Sequence, residues 1–212
     1  RAQKIIADSI ASFEKIQEEK KKVHDEKVAI GLAQRRSKLE NILQDINQGI
    51  EMTTSEYSKT NEFQWGRTVS EKEKQLGELR DRMTKLREMR EGVQKEISMI
   101  SFWKEFDFQE TPEGTVNEVF RAANSGDYSK LRYLIDPYGE FDEDVFRIGM
   151  IDSSFPEDQD RFKSEFQTGR IIGESTINGD FAEVEFAYGS SSNRLETFKL
   201  VRRLNKWYIS SL

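Results

Sequence analysis

The chain has 212 residues, 35% of them hydrophobic and 34% charged, with a net charge of −6 and a mean hydropathy of −0.77. That is little apolar material for one compact globule, and it suits solvated helices joined to a smaller core. The absence of cysteine excludes disulfides, thiolate nucleophiles and zinc–sulfur sites; neither half is basic enough to bind nucleic acid through phosphates; and no apolar run reaches the roughly 20 residues of a membrane span.

The sequence opens on Arg1, which suggests a processed or trimmed start, with any upstream targeting segment or lipid anchor out of view. Residues 1–28 carry a short stripe, Ile6, Ile10 and Phe13, with Ile5 and Ile16 beside it, followed by the polar run QEEKKK. A straight first helix places this stripe beyond the base of a hairpin, docked on the C-terminal domain. A bend near His24–Lys27 makes a three-helix bundle instead. His24, the only histidine, lies in a polar stretch and is expected to be solvated.

No proline occurs before Pro112, and apolar residues recur at heptad spacing. Leu32, Leu39, Ile46 and Thr53 form one line, with Leu43, Ile50 and Tyr57 on the next, where Arg36 interrupts. Val69, Leu76, Met83 and Ile97, interrupted at Arg90, run beside Leu79, Leu86, Val93 and Ile100. The two seams flank a turn at Gly66, with Thr68 or Ser70 as the following helix cap. The reading is an antiparallel hairpin, residues 29–62 against 69–103, whose seam is its own core or a surface for self-association. Phe63 and Trp65 fall at the tip, where they staple the turn or bind a partner.

The character changes after Ile100. SFWKEFDFQE is an aromatic hinge. Thr111 and Pro112 open a helix with Val116, Val119 and Phe120 on its apolar face and a stop at Ser125-Gly126. Asp127 caps a further helix with Leu131, Leu134 and Ile135 inward, ended by Pro137. Residues 138–168 hold one or two short helices and acidic loops. From Gly169 the period becomes two: strands surround an Asn178-Gly179-Asp180 turn, and a second hairpin turns at Asn205, with Phe198, Leu200, Trp207 and Ile209 inward.

The predicted architecture is α+β: a long antiparallel, coiled-coil-like helical hairpin over 1–105, then a small α+β cone with a curved antiparallel sheet over 110–212. The order Thr-Pro-Glu, amphipathic helix, Gly-Asp-Tyr, N-G-D-x-A-x-V, F-K-L-V and K-W-Y-I resembles the nuclear transport factor 2-like (cystatin-like cone) superfamily, especially its bacterial branch of small, often exported domains. The resemblance implies a sheet wrapped round a helix, a cone-shaped pocket that either holds a small apolar ligand or is simply filled, and a cell-envelope location, with a cytoplasmic one as the alternative. The aromatic residues that would line such a cone are Phe120, Tyr133, Phe186, Tyr188, Phe198 and Trp207.

The second half has neither His nor Cys, so Ser-His-Asp and Cys-His chemistry are excluded there. Tyr128, Tyr133, Tyr188, Tyr208, Asp136 and Asp152 leave an Asp–Tyr acid–base enzyme of isomerase or dehydratase type as the alternative function. Asp142, Glu143 and Asp144, with Asp158 and Asp160, lack the spaced oxygens of a calcium loop. The expectation is a non-enzymatic protein with no cofactor, no metal and no catalytic residue, which engages a protein partner or its own copy through its helices.

Overall fold

The computed structural model describes residues 2–62, 69–101 and 103–212, with side chains from Ser9 onward. The proline-free first half forms two helices, α1 (Ala2–Glu62) and α2 (Val69–Met99), of 61 and 31 residues. At 1.5 Å per residue they span about 90 Å and 45 Å, so the N-terminal part of α1 extends past its partner. α1 is continuous through His24–Lys27, which selects the straight helix over the three-helix bundle. Phe63, Trp65, Gly66 and Thr68 lie outside the described residues, as do the side chains of Ile5 and Ile6.

The heptads pack as an intramolecular seam. Leu39 and Ile46 are buried in one cluster with Val93 and Ile100, and Thr53, Leu76 and Leu79 are buried too, whereas Val69 is exposed at the end of the line. Across the seam the Arg80 Nε donates to the Tyr57 hydroxyl at 3.2 Å. Arg36 breaks the pattern harmlessly, turning to solvent to pair with Glu40.

α3 (Pro112–Ser125) starts where the sequence places it. The Thr111 hydroxyl accepts from Gly114 N at 3.1 Å, and Gly126, at φ 75°, ends the helix by donating to the Ala122 carbonyl. The helix expected after Asp127 is only a 3-10 turn, Leu131–Tyr133. Its backbone is claimed by the sheet instead: the Ile209 N–H donates to Leu134 O at 2.7 Å, and the Asp136 N–H to Ile209 O at 3.1 Å. Leu131, Leu134 and Ile135 are nevertheless fully buried, as expected. Two short helices follow, α4 (Glu143–Met150), capped by the Asp142 carboxylate, and α5 (Pro156–Phe166), with Pro at its first position.

The sheet contains β1 (Arg170–Ile171), β2 (Thr176–Asn178), β3 (Phe181–Tyr188), β4 (Arg194–Arg203) and β5 (Lys206–Ser211). It is antiparallel, curved and open, in the order β1-β3-β4-β5, with β2 also paired to β3. Its tight turns put Gly179 at φ 62° and Leu204 at φ 52°. The alternation is as predicted: Ala182, Val184, Phe186, Phe198, Leu200, Trp207 and Ile209 are buried and join α3 in one core. A second cluster joins the two halves, with Phe146 of α4 buried among Leu39, Ile46, Val93 and Ile100 of the hairpin.

Candidate functional site

The hairpin is clamped to the α+β unit at two glycines. A methyl group on Gly31 would overlap the Pro137 carbonyl, and one on Gly92 the Ser153 carbonyl. Between these contacts lies a buried ionic network that sequence reasoning missed. Glu96 of α2, fully buried, accepts hydrogen bonds from the Arg35 Nη2 of α1 at 2.9 Å and the Ser153 hydroxyl at 3.1 Å, and forms an ion pair with the Arg132 Nη1 at 3.3 Å. Arg35 also donates to the Arg132 carbonyl at 2.9 Å. Arg132 continues to Asp152, which Lys95 meets at 3.0 Å. Burial lowers the Arg35 guanidinium from 12.5 to about 10, against the pull of Glu96, so it stays cationic at neutral pH. The available signal was position: Arg35 lies four residues before Leu39 and seven after Val28, on the line that faces the domain.

His24 belongs to a second clamp, which corrects the solvated reading. It is only 5% exposed. Its Nδ1 lies 2.9 Å from the Tyr138 hydroxyl and its Nε2 3.4 Å from Glu105, whose carboxylate also accepts from the Tyr208 hydroxyl at 2.9 Å. The hydrogen bond from His24, with burial opposing it and Tyr208 adding to it, holds the Glu105 carboxyl below its ordinary value. Burial, then the neighbouring Glu105 charge, pushes the Tyr208 hydroxyl well up. Alongside, buried Asp136 receives Arg203 in a bidentate pair at 3.0 and 2.7 Å.

These clamps absorb several acid–base candidates. Asp136, Asp152 and Tyr208 are all bound to structural partners, and the Tyr128 hydroxyl faces the Gln159 carbonyl at 3.5 Å. The acidic loops are similarly employed. Asp142 caps α4, Glu143 meets Lys38 at 2.6 Å, and Asp144 and Asp158 face Arg147 and Arg161. Among the described residues no group of three or more His, Asp or Glu side chains is arranged to hold a metal ion.

Of the six aromatic cone candidates, Phe120, Phe186, Phe198 and Trp207 are packed into the core, with the Phe186 and Phe198 rings stacked at 4.5 Å. Tyr133 lies elsewhere, against Trp103 and Phe106. Tyr188 alone among them lines a cleft of 550 Å³ at the open end of the sheet, where Ile148, Phe162, Phe166 and Leu212 supply further apolar surface. The cleft's arginines are each near a carboxylate, Arg147 near Asp144, Arg161 near Asp158 and Arg194 near Glu165. The fourth carboxylate of the lining, Glu143, pairs with Lys38 outside it, so the rim's charged side chains all have partners around the apolar patch.

The least satisfied surface is on α1. Ile10, Phe13, Ile16, Val23 and Ile30 are 53, 62, 51, 51 and 58% exposed. The stripe Ile10–Phe13–Ile16 was expected to dock on the C-terminal domain; it instead stands in solvent, because contact with that domain begins only at His24 and Val28. No family model, curated protein or solved structure matches the chain. No described helix is long and apolar enough to cross a membrane.

Proposed function

We propose that this is a non-enzymatic docking protein, in which a filled α+β unit holds one long helix rigidly and presents the exposed N-terminal stretch of that helix to a protein partner. The observation that carries this reading is the exposed apolar line Ile16, Val23 and Ile30, with Phe13 near its start, on a helix that His24, Gly31 and Arg35 lock to the domain on another face. Leaving large apolar groups in water forgoes about 1.5–3 kcal/mol each, and a contiguous exposed set marks an interaction surface. The resemblance of residues 110–212 to nuclear transport factor 2-like domains, many of them exported, supports an envelope location for that interaction.

The test is the mass of the protein drawn natively from the cells that make it, by light scattering, for wild type and for Phe13→Asp/Ile16→Asp. The docking reading expects a complex that the double substitution reduces to the mass of one chain, with an unchanged melting temperature. A wild-type protein at the mass of one chain at every concentration up to the millimolar range defeats it.

The cleft beside Tyr188 favours a second, compatible reading, in which a small apolar ligand rests on Phe162 and Phe166. Phe162→Asp then abolishes binding of an apolar fluorescent probe, while a probe whose signal is indifferent to that change removes this reading.

A further inference from the structure

Three features of α1 specify its partner more narrowly. Ile16, Val23 and Ile30 recur in steps of seven, so they form one line along the helix, drifting only about 20° per step. Adjacent residues on a helix point about 100° apart, so Val23 faces well away from His24, which the domain buries. The line is therefore open along its length while the domain occupies a different face. It is flanked on one side by Glu19 and Glu26 and on the other by Lys20 and Lys27, all exposed; the lysine flank borders the domain, with the Lys27 Nζ 5.3 Å from the centre of the Tyr138 ring.

We infer that this line pairs with the same line of a second copy, the two helices running parallel and in register. The inference rests on the docking reading above and names its partner. In a parallel pair related by a two-fold axis along the helices, opposite flanks meet. Glu19 then faces its partner's Lys20, and Glu26 its partner's Lys27, twice over by symmetry. An antiparallel pair brings like flanks together, lysine to lysine and glutamate to glutamate, so the charge pattern selects the parallel arrangement. In heptad terms Ile16, Val23 and Ile30 occupy one core position. They supply only one apolar side chain per seven residues, with Lys20 and Lys27 left on the flank. The dimer is accordingly weak and concentration-dependent.

The chain has no cysteine, so single cysteines report the geometry cleanly. Under mild oxidation the purified protein carrying Val23→Cys or Ile16→Cys forms a covalent dimer, because identical core positions face each other in a parallel pair. Asp25→Cys, on the opposite side of the helix, does not. In sedimentation equilibrium wild type dimerises reversibly. Glu19→Lys and Lys20→Glu each lose association by at least tenfold alone and regain it when mixed with each other. All five substituted positions are exposed and leave the fold intact. A wild-type chain that stays monomeric into the millimolar range, or cysteines that cross-link only when Ile16→Cys is mixed with Val23→Cys, overturns the parallel dimer. If the purified chain is monomeric but the native complex of the preceding section still dissociates with Phe13→Asp/Ile16→Asp, docking stands and self-pairing falls. If both tests fail, both readings fall.

Discussion

Glu96 is the residue on which the joint between the two halves depends. It is fully buried, with Arg35 and Arg132 on either side. Removing its charge leaves two buried cations facing each other with one anion fewer, the situation in which a broken buried pair costs about 3–5 kcal/mol. Glu96→Gln is expected to lower the urea midpoint by that much stability, and a loss below 1 kcal/mol would mean that water reaches the network. Glu105 behaves differently because it is partly exposed. Its carboxyl is held below the unfolded value, so its contribution is fully present above the ordinary carboxylate range and disappears as pH falls through the lower, folded-state value. Glu105→Gln should flatten the acid limb of the stability profile and leave the neutral plateau little changed in shape, as thermal melts across pH will show.

At the scale of elements, the two glycines of α2 separate packing from helix propensity. A side chain at Gly92 meets the Ser153 backbone, whereas one at Gly77 meets nothing within 4 Å. Gly92→Ala is expected to destabilise by about 1–3 kcal/mol through overpacking, and Gly77→Ala to stabilise by about 1 kcal/mol through helix propensity alone. Melting temperatures that move in the same direction for both would refute the close joint. Elements with a strong local signature were legible in the sequence. Thr111-Pro112 and Gly126 bound α3, the heptads mark the hairpin, and the alternation from Ala182 to Phe186 gives the face of β3. What was hidden depends on contacts distant in sequence. The segment after Asp127 reads as a helix, yet becomes a 3-10 turn because β5 takes its backbone groups. His24 reads as surface because Tyr138 and Glu105 reach it from far along the chain. Local pattern predicted which cone aromatics are inward; it could not tell whether they surround space or fill it, and Phe186 against Phe198 fills it.

At the scale of the whole molecule, hairpin and α+β unit share the Phe146 cluster and the Glu96 network. They are expected to melt in one calorimetric transition whose van't Hoff and calorimetric enthalpies agree; two resolved transitions would show that the joint is loose. This unity gives the projecting stretch of α1 its meaning, since a rigid base fixes the direction in which its apolar line points. The most direct test of that claim is a photo-cross-linking scan, with a benzophenone side chain placed singly at each position from 9 to 30 in the native cells. The account predicts yields that rise and fall with the helical period, highest at Phe13, Ile16, Val23 and Ile30 and lowest at Glu14, Glu18 and Asp25. A scan without that period, or without protein cross-links at all, would contradict it.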